Sequence, residues 1–426
     1  MRHTYLLLAA IPVLTLVSCH DDDSTPLVPI KEKTYTGTSL ELFSNGQPMP
    51  SKSVTFIQDG DKARVSVYSL FDLSQIAGMG LEGEVPAPGA VPGAPRIEWN
   101  VGLTQADGAW AFSGKGTEGV CSYSYQGYAT SEKMRLYLTD VRLLAGAISP
   151  SVWQPAPISK EADGSYKSLP FYIDWQYDPI PGVDLDLTPF VDALATLPII
   201  PVYGGTAYMS VSEALHEVVK TAAFLDDGNM IFTYVSSAGG AYQIDQTLPN
   251  RFQYAVVSPS EVRLYLDPMS LFGLYLVNAS GGTPADKVNL NDHGLFPAGG
   301  STSEDDAGSA SALAAVRSEI TASALKYFMP RMAEGLPLAF KTDGSALDLY
   351  IDTDMAVDLF NNIIMPVLGN DTHMAAIMRY ISSLPELKPL LPQLEKALKL
   401  LPEAFLRTNT LRLGVALVPF TSGTQK

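Results

Sequence analysis

The sequence predicts a β-rich α+β fold: an N-terminal antiparallel β-barrel or sandwich-like domain, followed by an antiparallel sheet packed with amphipathic helices. Three observations predict it. A Phe-x-x-Asp-Gly turn recurs between alternating apolar residues, and apolar-Tyr-apolar strands close the units that these turns open. Apolar stripes at helical spacing gather in the last third of the chain.

The chain starts with an apolar run at residues 5–17, with Arg2 ahead of it and Pro12 inside it. A membrane-crossing helix needs about 20 residues, so this run is too short. A thin positive start, a short apolar centre and a small-residue end are the layout of a secretory signal. At that end Leu16-Val17-Ser18-Cys19 resembles the lipobox of bacterial lipoproteins. The resemblance implies that residues 1–18 are removed and that Cys19 carries the lipid. Stable anchoring takes more than one acyl chain, each buried CH₂ contributing about 0.8 kcal/mol. His20-Asp21-Asp22-Asp23 resembles the surface-export signal of Bacteroidetes-type lipoproteins, which implies an outer-membrane protein facing the exterior. Residues 19–33, acidic and then proline-bearing, read as an extended tether.

Residues 34–150 read as all-β. Lys52-Ser53-Val54-Thr55-Phe56-Ile57-Gln58-Asp59-Gly60 aligns with Lys220-Thr221-Ala222-Ala223-Phe224-Leu225-Asp226-Asp227-Gly228, and Phe340-Lys341-Thr342-Asp343-Gly344 is a weaker third copy. Asp-Gly between alternating apolar residues predicts a hairpin with a type I′ turn, which needs positive φ at both central residues. Outgoing strands are expected at 63–68, 230–235 and 346–351, and further turns at Asp107-Gly108 and Asp163-Gly164. Residues 96–112 alternate like additional strands. Leu136-Tyr137-Leu138, Leu264-Tyr265-Leu266 and Leu349-Tyr350-Ile351 supply the closing strands.

Residues 151–426 mix strands with helices. One apolar face joins Leu313, Val316, Ile320, Ala324 and Phe328, with Pro330 ending or kinking it. A second joins Met355, Leu359 and Ile363 ahead of Pro366, and a third runs from Leu391 through Leu394, Leu398 and Leu401 to Phe405, interrupted by Pro402. A closing strand is expected at 410–419. Residues 80–95 read as irregular, and 281–310 as a mobile loop.

Composition narrows the partners. A net charge of −17 argues against nucleic acid, whose phosphates demand basic patches, and against charge-held binding to an anionic membrane face. Only 17% of residues are charged, against about 25% in typical chains. That leaves large cores or an apolar surface for a ligand. With Cys19 consumed by lipid, Cys121 stands alone; no disulfide is expected, and it reads as a buried small residue.

Catalytic candidates are thin. His216-Glu217-Val218-Val219-Lys220 begins like a zinc-protease helix, but Lys220 stands where the second His belongs, so a surface His on a short helix is expected. His293 falls in the 281–310 loop, a poor place to hold a base; His373 is the third His left once the leader and tether are set aside. Asp348, Asp352, Asp354 and Asp358 cluster without the glycine or terminal Glu of a calcium loop, and read as strand-end and helix-start charges. Asp184 and Asp186 have the residue type of a glycosidase pair, whose carboxylates stand roughly 5 to 10 Å apart in a cleft, a distance a sequence does not carry. No metal or cofactor is expected. Six methionines, Met329, Met332, Met355, Met365, Met374 and Met378, suit either core packing or a pliable apolar pocket. Tyr123 and Tyr125 project from one side of a strand, with Tyr128, Trp99 and Trp110 nearby. That row reads as a barrel wall or cross-strand pairing, or as a platform for sugar rings.

Together the Lys-Ser/Thr-x-x-Phe-x-x-Asp-Gly turns, the Leu-Tyr-Leu strands and the lipobox resemble an uncharacterised family of Bacteroidetes surface lipoproteins, a domain-of-unknown-function group of calycin-like β-barrel character. The resemblance implies a fold and a location, and no active residues. The resulting expectation is a non-enzymatic surface lipoprotein that binds an apolar or amphipathic small molecule, since barrels of about eight strands can enclose one small ligand. The alternatives are a glycan-binding accessory protein working beside an outer-membrane transporter, and a hydrolase with an unrecognised carboxylate pair.

Overall fold

The computed structural model describes residues 27–75, 82–163, 166–196, 200–201, 208–238, 241–268, 316, 319–320, 322–324, 326–383 and 391–421. Cys19, the leader, His20 and the acidic run lie outside them, as do Gly164, residues 80–81, Leu313, His293 and the 281–310 stretch. The fold is β-rich α+β, with antiparallel sheets that include a half-barrel.

The N-terminal strands are β1 (Glu32–Thr36), β2 (Leu40–Ser44), β3 (Gln47–Pro48), β4 (Ser53–Asp59), β5 (Lys62–Tyr68), β6 (Leu70–Asp72), β7 (Glu84–Pro86), β8 (Arg96–Gly102), β9 (Thr104–Ala106), β10 (Ala109–Glu118), β11 (Cys121–Ala129) and β12 (Met134–Leu143). They form a four-stranded sheet in the order β1-β4-β5-β8 and a six-stranded sheet in the order β3-β2-β12-β11-β10-β9; β6 and β7 pair separately. Within the six-stranded sheet β2 and β12 run parallel.

Alternation sets the faces. Ile97, Trp99 and Val101 of β8 point inward, as do Tyr123 and Tyr125 of β11. In β12 the inward set begins at Met134, Leu136 and Leu138, then shifts phase to Val141 and Leu143. An irregularity in the β11–β12 ladder and a φ of 53° at Asp140 absorb the extra residue. Between the sheets the space is filled by rings. Trp99 stacks on Tyr125 at 4.1 Å between centroids, and Trp99 Nε1 donates to Tyr123 Oη at 3.1 Å. Glycines leave room for those rings: a Cβ on Gly127 would stand 2.1 Å from Phe112 Cζ, and one on Gly114 2.4 Å from Tyr125 Oη.

The chain continues with β13 (Val152–Pro155), β14 (Ser159–Lys160), β15 (Tyr166–Ser168), β16 (Phe171–Tyr177), α1 (Thr188–Ala193), β17 (Ile200–Pro201), β18 (Tyr208–Met209), α2 (Val211–Val218), β19 (Val219–Phe224), β20 (Met230–Ala238), β21 (Ala241–Gln246), β22 (Phe252–Ser258), β23 (Glu261–Leu266), β24 (Leu336–Thr342) and β25 (Leu347–Ile351). It ends with α3 (Thr353–Leu359), α4 (Met365–Leu368), α5 (Asp371–Ser383), α6 (Leu391–Phe405) and β26 (Thr408–Pro419). The large sheet has ten strands in the order β21-β20-β19-β13-β26-β25-β24-β23-β22, with β16 also paired to β26. The helices pack a second core around Trp175, Phe360 and Phe405.

The repeated motifs are hairpins, with a correction to their turns. At Gly60, Gly228 and Gly344 only the glycine has positive φ. Asp59 still pairs with Lys62, which leaves Gly60 and Asp61 as the central residues of that turn. The other two copies have longer loops, from Phe224 to Met230 and from Thr342 to Leu347. Positive φ at both central residues occurs instead at Asp107-Gly108 and at Asn45-Gly46. The helical stretch carrying the stripe ahead of Pro366 runs past that proline. A π-helical segment, Phe360–Ile364, intervenes, and its wider turn accommodates a residue that has no N–H and a bulky ring. Pro402 likewise lies inside α6 without ending it.

The largest hydrophobic core crosses position 150 without a break, joining Tyr35, Phe56 and Leu138 to Trp153, Phe224, Tyr254 and Leu417. A polar seam accompanies it. Asn45 Nδ2 donates to Asp227 Oδ2 at 3.3 Å, while Asn45 Oδ1 accepts from Val141 N at 3.1 Å. Asn250 N donates to Asn229 Oδ1 at 2.6 Å, and Asn250 Nδ2 donates to Pro48 O at 3.1 Å.

Candidate ligand-binding surface

Tyr123 and Tyr125 are buried among Trp99, Phe112 and Cys121. They belong to the wall of the core, and a role in stacking external sugar rings is closed to them. The period of two that turns them inward turns Tyr128 outward, because it differs in parity from both. On the outer face of the six-stranded sheet Tyr128 lies opposite Arg135, Gln126 opposite Tyr137, Arg135 opposite Glu41, and Tyr137 opposite Phe43. The sequence signal was present in the spacing Tyr-x-Tyr-x-x-Tyr. Tyr137 sits inside a Leu-Tyr-Leu closing-strand motif, and only the β11–β12 register brings it beside Tyr128.

On this face lies an open groove of about 340 Å³, lined by Asp107, Tyr128, Thr130, Lys133, Arg135 and Tyr137. Tyr137 stacks on Phe43 at 5.4 Å between centroids, 12° from parallel. Gln126 Nε2 donates to Tyr128 Oη at 2.6 Å. Arg135 Nε donates to Glu41 Oε2 at 2.8 Å, and the Lys133 ammonium donates to the other carboxylate oxygen. Those bonds, Lys133 foremost, hold the Glu41 carboxyl below the usual carboxylate range. The arrangement offers half-buried ring faces beside fixed donors and acceptors, which is what a ligand with apolar faces and polar edges requires.

The other candidates are dispersed. Asp352 caps α3 by accepting from Met355 N at 3.1 Å, and Asp354 sits in the first turn of that helix. Asp358 accepts from Tyr327 Oη at 2.7 Å and from Asn362 Nδ2 at 2.9 Å. Asp348 lies across the ladder from Lys341, its carboxyl raised by burial. Asp184 and Asp186 are exposed on a separate groove of about 470 Å³ with Gln176 and Tyr177, and Asp186 Oδ1 accepts from Thr188 N at 2.9 Å. Among the described residues no three His, Cys, Asp or Glu side chains come together as a metal site. Comparison with family models, with curated proteins and with solved structures finds no match to this chain.

His216 departs from the expected surface position. It is half-buried on α2, and its Nδ1, like that of His373, is buried without a hydrogen-bond partner among the described residues. Cys121 is fully buried, as its composition suggested, and burial followed by the Asp227 charge pushes its thiol up to about 12. Such a thiol stays protonated and unreactive. Met329 and Met332 are core residues packed with Phe71 and Ala87, whereas Met355, Met365, Met374 and Met378 are half-buried.

Proposed function

We propose that this chain is a lipid-anchored, surface-exposed lipoprotein that binds glycans without catalysis, presenting them beside an outer-membrane transporter. The observation that carries the reading is the outward platform of Tyr128 and Tyr137 with Gln126, Arg135 and Lys133 around it. A sugar ring has apolar C–H faces that pack on aromatic rings and hydroxyls that need donors and acceptors at the rim. Stacked ring pairs contribute about 0.5–1.5 kcal/mol each beyond area, so binding of this kind gains from several rings at once. The anchor is supported by the lipobox ending at Cys19 and the acidic run behind it. Affinity electrophoresis against a panel of polysaccharides tests the proposal. At least one is expected to retard the protein, with the retardation reduced roughly tenfold in Tyr128→Ala and Tyr137→Ala. Mass analysis of the same protein from its native cells is expected to find residue 19 acylated and N-terminal.

A second reading keeps an apolar or amphipathic small molecule as the ligand. It is favoured by the four half-buried methionines of the helical layer, whose thioethers adapt to irregular shapes. Protein that ignores every polysaccharide yet carries a fatty acid or sterol in its native mass spectrum would replace the first reading with this one.

A further inference from the structure

The groove on the six-stranded sheet has a chemical bias. Its floor is Tyr128 and Tyr137, and Arg135 stands between them, opposite Tyr128 across the ladder and two residues before Tyr137 on the same strand. Arg135 spends only Nε on Glu41; among the described residues Nη1 and Nη2 have no hydrogen-bond partner. The guanidinium is therefore oriented by one bond, with its terminal edge unspent beside the groove. Its side chain is 58% exposed. A second cation, Lys133, lines the same groove and is held on the same Glu41 carboxylate. An arginine fork with two free terminal amino groups matches the geometry of a carboxylate, which it takes in two parallel hydrogen bonds.

We propose that the groove selects acidic sugars, a uronate carboxylate sitting on the Arg135 fork while its ring packs on Tyr128 and Tyr137. The inference rests on the glycan reading and narrows it. Glu41 acts as the internal counter-charge that keeps both cations in place when the groove is empty. Asp107, which lines the same groove, opposes an anionic ligand and sets an upper limit on the preference. The chain's net charge of −17 repels polyanions at long range, so selection is carried by short oligosaccharides that fit the groove rather than by bulk attraction to a long acidic polymer.

The test compares two probes with one backbone: a short oligouronide, and the same oligosaccharide with its carboxylates reduced to primary alcohols. Titration calorimetry at low and at physiological salt is expected to give the oligouronide at least a tenfold tighter Kd. In Arg135→Gln that ratio falls to near one, and in Asp107→Asn it rises severalfold. Equal affinity of the native protein for the two probes overturns the acidic-sugar inference while leaving the glycan reading intact. A ratio that survives in Arg135→Gln overturns it as well, because the fork is then not the selecting group. Failure of both probes, together with every neutral polysaccharide, overturns the glycan reading and this inference with it. Circular dichroism of each variant separates loss of selection from loss of fold.

Discussion

Lys52 is a costly side chain to bury. It is only 7% exposed, and its ammonium donates to Pro88 O at 2.7 Å. Burial pushes its pKa down to about 8 against the partial support of Asp267. In the unfolded chain the group keeps its ordinary value near 10.4, so between about pH 8 and 10.4 the unfolded state binds a proton that the folded state has released. Lys52 alone therefore makes stability rise with pH across that window. The buried Cys121 thiol, raised to about 12 from an ordinary value near 9, opposes it from about pH 9 because the unfolded chain ionises first. Above about pH 10 the sign reverses, because burial raises Tyr35 and Tyr123 to about 12 and the unfolded chain ionises first. Urea midpoints measured from pH 7 to 11 should rise to about pH 9, stay level to about pH 10 and fall beyond it. In Lys52→Met the rising limb should flatten, with a gain of about 1–2 kcal/mol at pH 7 once the lost hydrogen bond is subtracted. None of this was legible in the sequence. In the sequence Lys52 opens a turn motif, and its burial depends on distant parts of the chain such as Asp267, just past β23.

At the scale of elements, the hairpins and the closing strand were legible because they depend on local chemistry: a glycine that reaches positive φ, flanked by alternating apolar residues. The turn types were not, since loop length and register decide which residue occupies each central position. The site was half legible. The aromatic row on β11 was visible, but its inward and outward members separate only by parity, and Tyr137 joins them only through the β11–β12 register. The glycines of this sheet make the packing testable. Gly127→Ala forces a Cβ to within 2.1 Å of the Phe112 ring and should cost about 1–3 kcal/mol by overpacking. Gly102→Ala, also on a strand but with no atom within 4 Å, should stay within about 0.5 kcal/mol of the native protein. Chemical denaturation of the two variants provides the comparison.

For the whole molecule, composition left large cores or an apolar ligand surface as alternatives; the principal core is extensive and crosses position 150 rather than ending there. Trp153 and Phe224 pack in the same cluster as Tyr35 and Leu138, so unfolding either side exposes the other. Thermal unfolding followed by far-ultraviolet and by aromatic near-ultraviolet dichroism should give coincident transitions; two separated midpoints would mean that the shared cluster does not couple the halves. The Asn45-Gly46 turn takes part in that coupling. An asparagine followed by glycine is the sequence most prone to slow loss of its amide, and here the amide nitrogen faces Asp227 at 3.3 Å. Ageing at this one position would exchange a donor for a second anion, setting two carboxylates against each other where the hairpin meets the large sheet. Storage history would then be written into the protein's stability, and the molecule would carry its own clock.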